Sequence, residues 1–225
     1  MTDRLLSLAQ QRWSAPLLRA LGLPQPQRLR RRAPGAWQRQ ELAGRRLLLL
    51  AAAPSALAPR LQAWAEARGL LSLSGEEGAQ ALLLDLSAAN RLDELQALRA
   101  LAQPAVRGLA RGGRVLLLAP PLEAAAGPEA LAVAAALRGF VRALGKELGR
   151  RGASANLLAL EAGADTAALE AALDFFLGDG GAYVSGQVLN LPGAVAGEGE
   201  GLQGALAVVT GAAAPMPPAA AARAC

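Results

Sequence analysis

Few residues in this 225-residue chain have side chains suited to acid–base, nucleophilic or metal chemistry. The chain contains no His, which excludes a His-based metal site and a Ser-His-Asp triad, and we predict no metal site. Its single Cys, Cys225, cannot form a disulfide within the chain. The candidates for proton transfer are therefore the single Tyr, Tyr183, and Lys146. The surroundings of these two side chains follow from the predicted strands and helices that carry them.

Alternating strand and helix patterns organise residues 44–193 and would position these side chains. Continuous apolar runs predict buried parallel strands, and Leu and Val stripes at helical spacing predict the helices between them. This alternation predicts an α/β domain with a parallel sheet. Pro104 is expected to strain or interrupt the second helix, Leu92 is expected to point inward from it, and Asp165 is expected to cap the last helix. The predicted strands are 46–51, 70–73, 80–86, 114–119, 154–160 and 183–191, and the predicted helices are 56–68, 90–109, 128–150 and 166–177.

The positive charge of the chain is concentrated at its N-terminus. Residues 1–46 hold ten Arg against two acidic residues, whereas the rest of the chain carries a net charge of about −3. The Arg run at 28–32 could contact nucleic acid or anionic lipid. No ladder of aromatic and basic residues accompanies it, so we interpret it as a solvated linker and expect no nucleic-acid partner. No apolar run approaches about 20 residues, so no membrane span is expected, and the expected location is the cytoplasm.

The ends of the chain differ in composition from the predicted domain. Residues 1–43 are predicted to be a helical and basic arm. The Gly-, Ala- and Glu-rich residues 194–204 are predicted to be a flexible linker. Residues 205–225 combine an apolar run with a Pro/Ala tail and are predicted to be disordered.

Two segments resemble the short-chain dehydrogenase/reductase superfamily. Residues 137–156 (LRGFVRALGKELGRRGASAN) resemble the helix after that family's active-site motif with its next strand, and residues 182–189 (AYVSGQVL) resemble its last strand. Residues 21–26 (LGLPQP) and the Arg-rich stretch after them resemble the start of the high-molecular-weight 3-oxoacyl-acyl-carrier-protein reductases. Those proteins carry a degenerate Rossmann domain before a catalytic ketoreductase domain. The resemblance therefore implies a three-layer Rossmann-like (flavodoxin-like) parallel sheet with flanking helices over residues 44–193.

Residues 207–213 (AVVTGAA) resemble the first strand and Gly-rich turn of that second, ketoreductase domain. Thr210 and Gly211 would be the remnant of its cofactor fingerprint. The sequence then reads APMPP and stops at Cys225, so we expect a truncated or frameshifted product in preference to a short paralogue. The resemblance implies NAD(H) or NADP(H) for the full-length family, and we expect no cofactor in this chain.

The resemblance places the family's catalytic positions on residues that cannot transfer a proton. The family uses a Tyr as the acid, a Lys one helical turn later and a Ser that orients the substrate oxygen. Aligned on residues 137–140, the Tyr and Lys positions are Ala130 and Ala134, and the Ser position near Ala119 is empty. We therefore predict no catalytic residue.

The two remaining candidates have structural interpretations. Tyr183 is followed by Gln187, where a Lys would be needed, and the resemblance implies a packing residue at the start of the last strand. Lys146 lies three turns beyond the Lys position and is interpreted as a helix-surface residue.

The cofactor turn also departs from the family. Residues 51–55 (AAAPS) contain no Gly, and Pro54 removes an amide where a pyrophosphate would need close backbone approach. Ser72 and Ser74 stand where an acidic residue would hold a ribose. Asp85, which follows the next strand, could bind a hydroxyl, but we prefer the interpretation that it caps the following turn.

Three functions stay open at this point. We favour a non-catalytic structural or assembly domain of a 3-oxoacyl-ACP or 3-oxoacyl-CoA reductase of fatty-acid metabolism. The alternatives are an active NAD(P)H-dependent 3-oxoacyl-ACP reductase and a partner-binding module whose basic arm recruits an acidic partner such as acyl carrier protein. The family also implies a homodimer through the 128–150 helix. Close approach there would suit the small residues of that helix, which packing within the chain would explain equally well: Ala132, Ala135, Ala136 and Gly139.

Overall fold

In the computed structural model, the described residues form a domain around a six-stranded sheet whose neighbouring strands are all paired in parallel. The strand order is β2-β1-β3-β4-β5-β6, which is the flavodoxin order extended by one strand. The predicted parallel sheet is thereby confirmed. The strands are β1 (Arg46–Ala51), β2 (Leu71–Ser72), β3 (Ala81–Asp85), β4 (Arg114–Ala119), β5 (Ser154–Leu160) and β6 (Val188–Leu191).

The structure describes residues 39–52, 54–123 and 125–193, together with the single positions Pro16, Ala20 and Leu29. The predicted linker, the predicted disordered segment with Thr210 and Gly211, and most of the N-terminal arm lie outside the described residues.

Four α-helices between Ala58 and Leu177 cover the two faces of the sheet in the part of the chain that the structure describes. They are α1 (Ala58–Ala67), α2 (Leu92–Gly108), α3 (Pro128–Gly149) and α4 (Thr166–Leu177), and short 3-10 helices occupy Arg39–Leu42 and Gly180–Tyr183. Side chains of α2 and α3 share one core with the sheet, and side chains of α1 and α4 share the core on the opposite face. The predicted three-layer arrangement is therefore confirmed. None of these helices combines the length and apolarity that a membrane crossing requires.

The central strands β3 and β4 are buried along their whole length. Leu82 and Leu84 point into the α2–α3 core, whereas Leu83 between them points into the α1–α4 core. A strand covered on both faces has to be apolar at every position, and this explains the continuous Leu runs of the sequence.

The last strand begins later than predicted. The chain from Gly180 to Tyr183 forms a 3-10 helix, and β6 starts only at Val188. Between them, Asn156 of β5 holds the backbone with its side chain, because its Nδ2 donates to the Val184 carbonyl and its Oδ1 accepts from the Gln187 amide. Tyr183 is 62% exposed, so its predicted role as a packing residue of the last strand is wrong.

Two expectations about α2 are corrected. The helix runs without interruption from Leu92 to Gly108 although Pro104 lies inside it. A Pro leaves the carbonyl four residues earlier without a helical partner, and here that carbonyl belongs to Ala100, on the exposed side where water can satisfy it. Leu92 is 53% exposed because it is the first residue of the helix rather than part of its inward stripe.

Candidate functional site

The carboxyl edge of the sheet between β1 and β3 is the expected position of a ligand site. Strand order reverses between these two strands, and open α/β sheets bind ligands at such a switch point. Ala51 and Asp85, the last residues of β1 and β3, are paired across this edge. The segment that leads from Ala51 into α1 would have to supply the phosphate-binding amides.

The amides at the start of α1 are already used within the chain. Leu57 N donates to Ser55 Oγ at 3.0 Å, and Ala58 N donates to the Ser55 carbonyl at 3.2 Å. Pro59, at the beginning of the helix, has no N–H to offer. A pyrophosphate at a helix N-terminus needs free amides, and two of these donors are occupied while the third is absent.

The second strand ends at the wrong end of the sheet to contribute to this site. Ser72, the last residue of β2, is paired with Leu47, four positions before the end of β1. At about 3.3 Å per residue, β2 stops roughly 13 Å short of the carboxyl edge. The chain then returns along the amino edge, where Gly78 N donates to the Gly108 carbonyl at 2.8 Å. Neither Ser72 nor a neighbouring residue of β2 therefore lies at the switch point.

Asp85 serves the turn that follows it. Asp85 is only 3% exposed. Its Oδ1 accepts from Ser87 N at 3.1 Å and from Ser87 Oγ at 2.7 Å. These bonds confirm the predicted turn-capping role. Asp85 Oδ2 is buried without a hydrogen-bond partner, beside a cavity of about 10 Å³ that also touches Ser55 and Glu94. A cavity of this size has room for about one water molecule.

The positions that the resemblance assigns to chemistry carry only methyl groups. Ala119 ends β4 and Ala134 lies on α3, and each is 1% exposed. Ala130 is half-buried in the first turns of α3. Lys146 is exposed on the same helix, as predicted. Tyr183 is exposed in the 3-10 helix before β6.

A charged group that sequence reasoning did not single out lies at the other end of the carboxyl edge. Arg138 of α3 reaches Asn190 of β6, with Nη2 3.4 Å from Asn190 Oδ1, and Glu123 of the β4–α3 loop, with Nη2 3.6 Å from Glu123 Oε2. Arg138 Nε is buried without a hydrogen-bond partner. The spacing of Arg138 could have identified it from the sequence. It follows Ala130 and Ala134 at intervals of four and therefore shares their helix face.

A buried polar cluster joins α1 to α4 on the opposite face of the sheet. Asp174 of α4 accepts from Trp64 Nε1 at 3.0 Å and from Arg68 Nε at 3.0 Å. Arg68 also pairs with Glu170 at 3.0 Å. Hydrogen bonding to Asp174, together with the charges of both carboxylates, raises the pKa of Arg68. Because every member is satisfied from within the chain, we interpret this cluster as structural.

An apolar groove of about 630 Å³ lies between α2 and α3. Arg99 and Arg107 line it from α2 and Glu147 lines it from α3, around a floor of Leu, Val, Ala and Phe side chains. The small residues of α3 beside it are exposed, and a Cβ added to Gly139 would meet no atom within 4 Å. Packing within the described chain therefore does not account for the small side chain at this position.

No group of three or more His, Cys, Asp or Glu side chains suited to a metal ion occurs in the described part of the chain.

Comparison with known proteins gives structural likenesses only. No protein-family model matches the sequence, and no curated protein matches it. Among solved structures, the chain is similar to a mutant short-chain dehydrogenase/reductase of Serratia marcescens, with a TM-score of 0.49 and 14% identity over 67% of this chain and 96% of that one. It is similarly like an enoyl-(acyl-carrier-protein) reductase of Anaplasma phagocytophilum in complex with NAD, with a TM-score of 0.49 and 13% identity over 68% of this chain and 92% of that one. The fold assignment rests on the strand order and the two helix layers described above.

Proposed function

We propose that residues 44–193 form a non-catalytic, Rossmann-like structural or assembly domain of a short-chain dehydrogenase/reductase, of the 3-oxoacyl-ACP or 3-oxoacyl-CoA reductase type. The observation that carries the proposal is that groups of the chain itself occupy the switch point between β1 and β3. Ser55 takes two of the amides at the start of α1, and β2 stops at Ser72 near the amino edge. A dinucleotide would find neither its phosphate donors nor the strand end that holds a ribose.

The positions aligned with the family's active site also lack a proton donor for carbonyl reduction. An acid has to stand within hydrogen-bond reach of the carbonyl oxygen that receives the proton. Ala119, Ala130 and Ala134 offer only methyl groups at the positions aligned with the family's Ser, Tyr and Lys. The domain retains the scaffold of a reductase without its reacting side chains, and this favours a role in packing or assembly.

Titration of the full chain with NADH and NADPH, followed by calorimetry, tests the cofactor half of this proposal. We expect no saturable binding and no oxidation of either cofactor when acetoacetyl-CoA is added. Turnover by the wild-type chain that is lost in Tyr183→Phe or Lys146→Ala would instead establish the alternative, an active NAD(P)H-dependent reductase with an unrecognised site.

A double variant distinguishes the lack of a cofactor site from the lack of a proton donor. Ala130→Tyr with Ala134→Lys restores the family's side chains on α3. We expect this variant to stay inactive, because the start of α1 still lacks free amides. Activity in the double variant would show that the cofactor site is intact and that only the chemistry was lost.

We further propose that the assembly partner at α3 is a second copy of this chain. The groove beside α3 is apolar and open, and opposite charges line its two walls, Arg99 and Arg107 on α2 and Glu147 on α3. A two-fold packing would therefore place Glu147 of each copy near the α2 arginines of the other. The exposed Gly139 allows the close approach that such a packing needs.

Sedimentation equilibrium of the full chain tests this dimer. Ala135→Trp adds bulk on the exposed face of α3, and we expect it to shift the chain to monomer without changing its circular dichroism. Ala167→Trp, at an exposed position of α4, is the matched control and should leave the association unchanged. A wild-type chain that is monomeric at all concentrations would contradict the dimer.

An acidic partner such as acyl carrier protein is the second candidate, and it is favoured by the ten Arg of residues 1–46. Binding through these charges would weaken as salt is added, because the attraction between exposed charges is screened. We expect purified acyl carrier protein to bind the full chain at low salt and not a chain that lacks residues 1–38. Equal binding by both would exclude the arm as the docking element.

A further inference from the structure

We propose that Arg138 binds the carboxylate of a ligand at the carboxyl edge of β6, and that Glu123 occupies this place when the ligand is absent. The site lies between α3, the β4–α3 loop and the last strand. It is separate from the occupied switch point between β1 and β3, and it does not depend on the proposed function.

The guanidinium of Arg138 has unused hydrogen-bonding capacity. Its two polar contacts are both made by Nη2, and both are long, at 3.4 Å to Asn190 Oδ1 and 3.6 Å to Glu123 Oε2. Its Nε is buried and has no hydrogen-bond partner. A buried donor without an acceptor is unfavourable and rare in folded proteins, so an unfilled Nε points to an absent acceptor.

The geometry of the unused donors indicates what the acceptor is. Nε and Nη2 lie on the same edge of the guanidinium, and a carboxylate can accept from both through its two oxygens. Asn190 Oδ1 accepts from Arg138 Nη2 and so holds the guanidinium next to β6. The Nε–Nη2 edge of Arg138 therefore lies beside the last strand.

Glu123 already places a carboxylate next to this edge. Its side chain is 63% exposed, whereas the side chain of Arg138 is 19% exposed. An ion pair with one partner in solvent contributes little, and a distance of 3.6 Å is outside good hydrogen-bond geometry. Glu123 is therefore a weak internal competitor that a ligand carboxylate could displace.

The surrounding charges favour a singly charged ligand. Glu161 stands one residue beyond β5 at the same edge, where its Oε2 accepts from Gly193 N at 3.1 Å. A phosphate dianion would meet the repulsion of Glu161 in addition to that of Glu123. A carboxylate carries half that charge and matches the fork of Arg138 equally well.

The test is a titration of the full chain with acetate, followed by the nitrogen–proton NMR resonances of the Arg side chains. The Arg138 Nε–H resonance is identified by its loss in Arg138→Gln. We expect a saturable shift of this resonance with acetate and a smaller or no shift with sodium chloride at equal ionic strength. An identical shift with chloride would overturn the proposal.

Two variants and a control make the result specific. Glu123→Gln removes the competitor, and we expect it to tighten acetate binding by about 2- to 5-fold, the range of an exposed ion pair. Arg138→Lys keeps the charge without the fork and should weaken binding. Arg142→Gln, an exposed residue one turn later, should leave binding unchanged.

Three outcomes would contradict the proposal. Weaker acetate binding in Glu123→Gln would mean that Glu123 is not a competitor. Unchanged binding in Arg138→Lys would mean that the fork is not used. Inorganic phosphate that binds more tightly than acetate would exclude a carboxylate as the preferred group.

Discussion

The two helix layers of this domain are built differently. In the α1–α4 layer, Asp174 is 5% exposed and ties the two helices together through Trp64 and Arg68. In the α2–α3 layer, an apolar groove of about 630 Å³ separates the helices, and no ion pair within the described residues joins them. The α1–α4 layer is thus closed by buried charged side chains. In the more open α2–α3 layer, polar contacts of the described residues join only the two ends, from Leu92 N to Glu129 Oε1 at 3.0 Å and from Arg151 Nη1 to the Val106 carbonyl at 3.0 Å, and the groove between them is apolar.

Removal of the carboxylate in the closed layer should have the largest effect. Asp174→Ala leaves Trp64 Nε1 without its acceptor and leaves Arg68 only its pair with Glu170, so the loss should approach the cost of breaking a buried ion pair, about 3–5 kcal/mol. Urea unfolding measures this loss. Asp174→Asn is the control, because its remaining oxygen can still accept from Trp64, and it should lose less. A loss below about 1 kcal/mol would mean that the closed layer does not depend on this cluster.

In the open α2–α3 layer, different substitutions should affect the stability of the monomer and its self-association separately. Leu137 of α3 is 0% exposed, so Leu137→Ala should reduce the free energy of unfolding by about 2–5 kcal/mol. Phe140, one turn later, is half-buried and lines the groove. Phe140→Ala should destabilise the monomer less and weaken self-association more. Parallel urea unfolding and sedimentation would contradict the comparison if both variants changed both quantities equally.

Gly139→Ala tests the same difference between stability and association, because here the stability should rise while the association weakens. It lies inside α3 with open space around it, so Gly139→Ala should stabilise the isolated helix layer by about 0.5–1 kcal/mol. If copies of α3 pack closely, the added methyl should weaken the dimer at the same time. Thermal melting at low concentration and sedimentation at high concentration measure the two effects. Destabilisation at low concentration would show an internal contact for Gly139.

The smallest effect is expected from the exposed pair at the start of α2. A hydrogen bond from Arg91 lowers the pKa of Asp93 below its ordinary 3.8. The pair therefore contributes stability above pH 3.8, and this contribution is lost as the pH falls through the pKa in the folded state. The melting temperature of Asp93→Asn should lie slightly below that of the wild type at neutral pH, and the difference should vanish in acid. A difference that persists in acid would rule out the carboxylate charge as its source.

Much of the fold could be predicted because its signals are local. The bounds of β1, β4, β5 and α4 agree with the sequence pattern, since each is a continuous apolar run or a stripe between clear turns. The cap of α4 was predicted in the same way, and Ala168 N donates to Asp165 Oδ2 at 2.9 Å. Propensity, periodicity and capping act over a few residues and are therefore visible in the sequence.

The carboxyl edge was predictable only in part. The lack of Gly and the presence of Pro54 indicated an unsuitable phosphate turn, but the use of the α1 amides by Ser55 appears only in the folded chain. The short length of β2 was predicted, but its register against the start of β1, far from the carboxyl edge, was not. The eight residues between β2 and β3 could have suggested it, because they are too few for a full crossover between long parallel strands.

Contacts between distant residues account for what sequence reasoning missed. Trp64 and Asp174 are 110 residues apart, and Arg138 and Asn190 are 52 residues apart. Nothing in the local pattern around any of these four residues indicates its partner. The start of β6 was misplaced for the same reason, because the backbone at Val184 bonds to the side chain of Asn156 rather than to a neighbouring strand.

The amino-acid sequence alone determined the layered α/β fold, the lack of His chemistry and the methyl groups at the aligned catalytic positions. These follow from residue types and short-range spacing, which the chain carries before it folds. Only the tertiary structure decided that β2 ends far from the switch point, that Ser55 occupies the amides of α1 and that Arg138 lies beside the last strand with an unused donor. Those features depend on strand register and on contacts across the sheet, which exist only once distant segments are packed together.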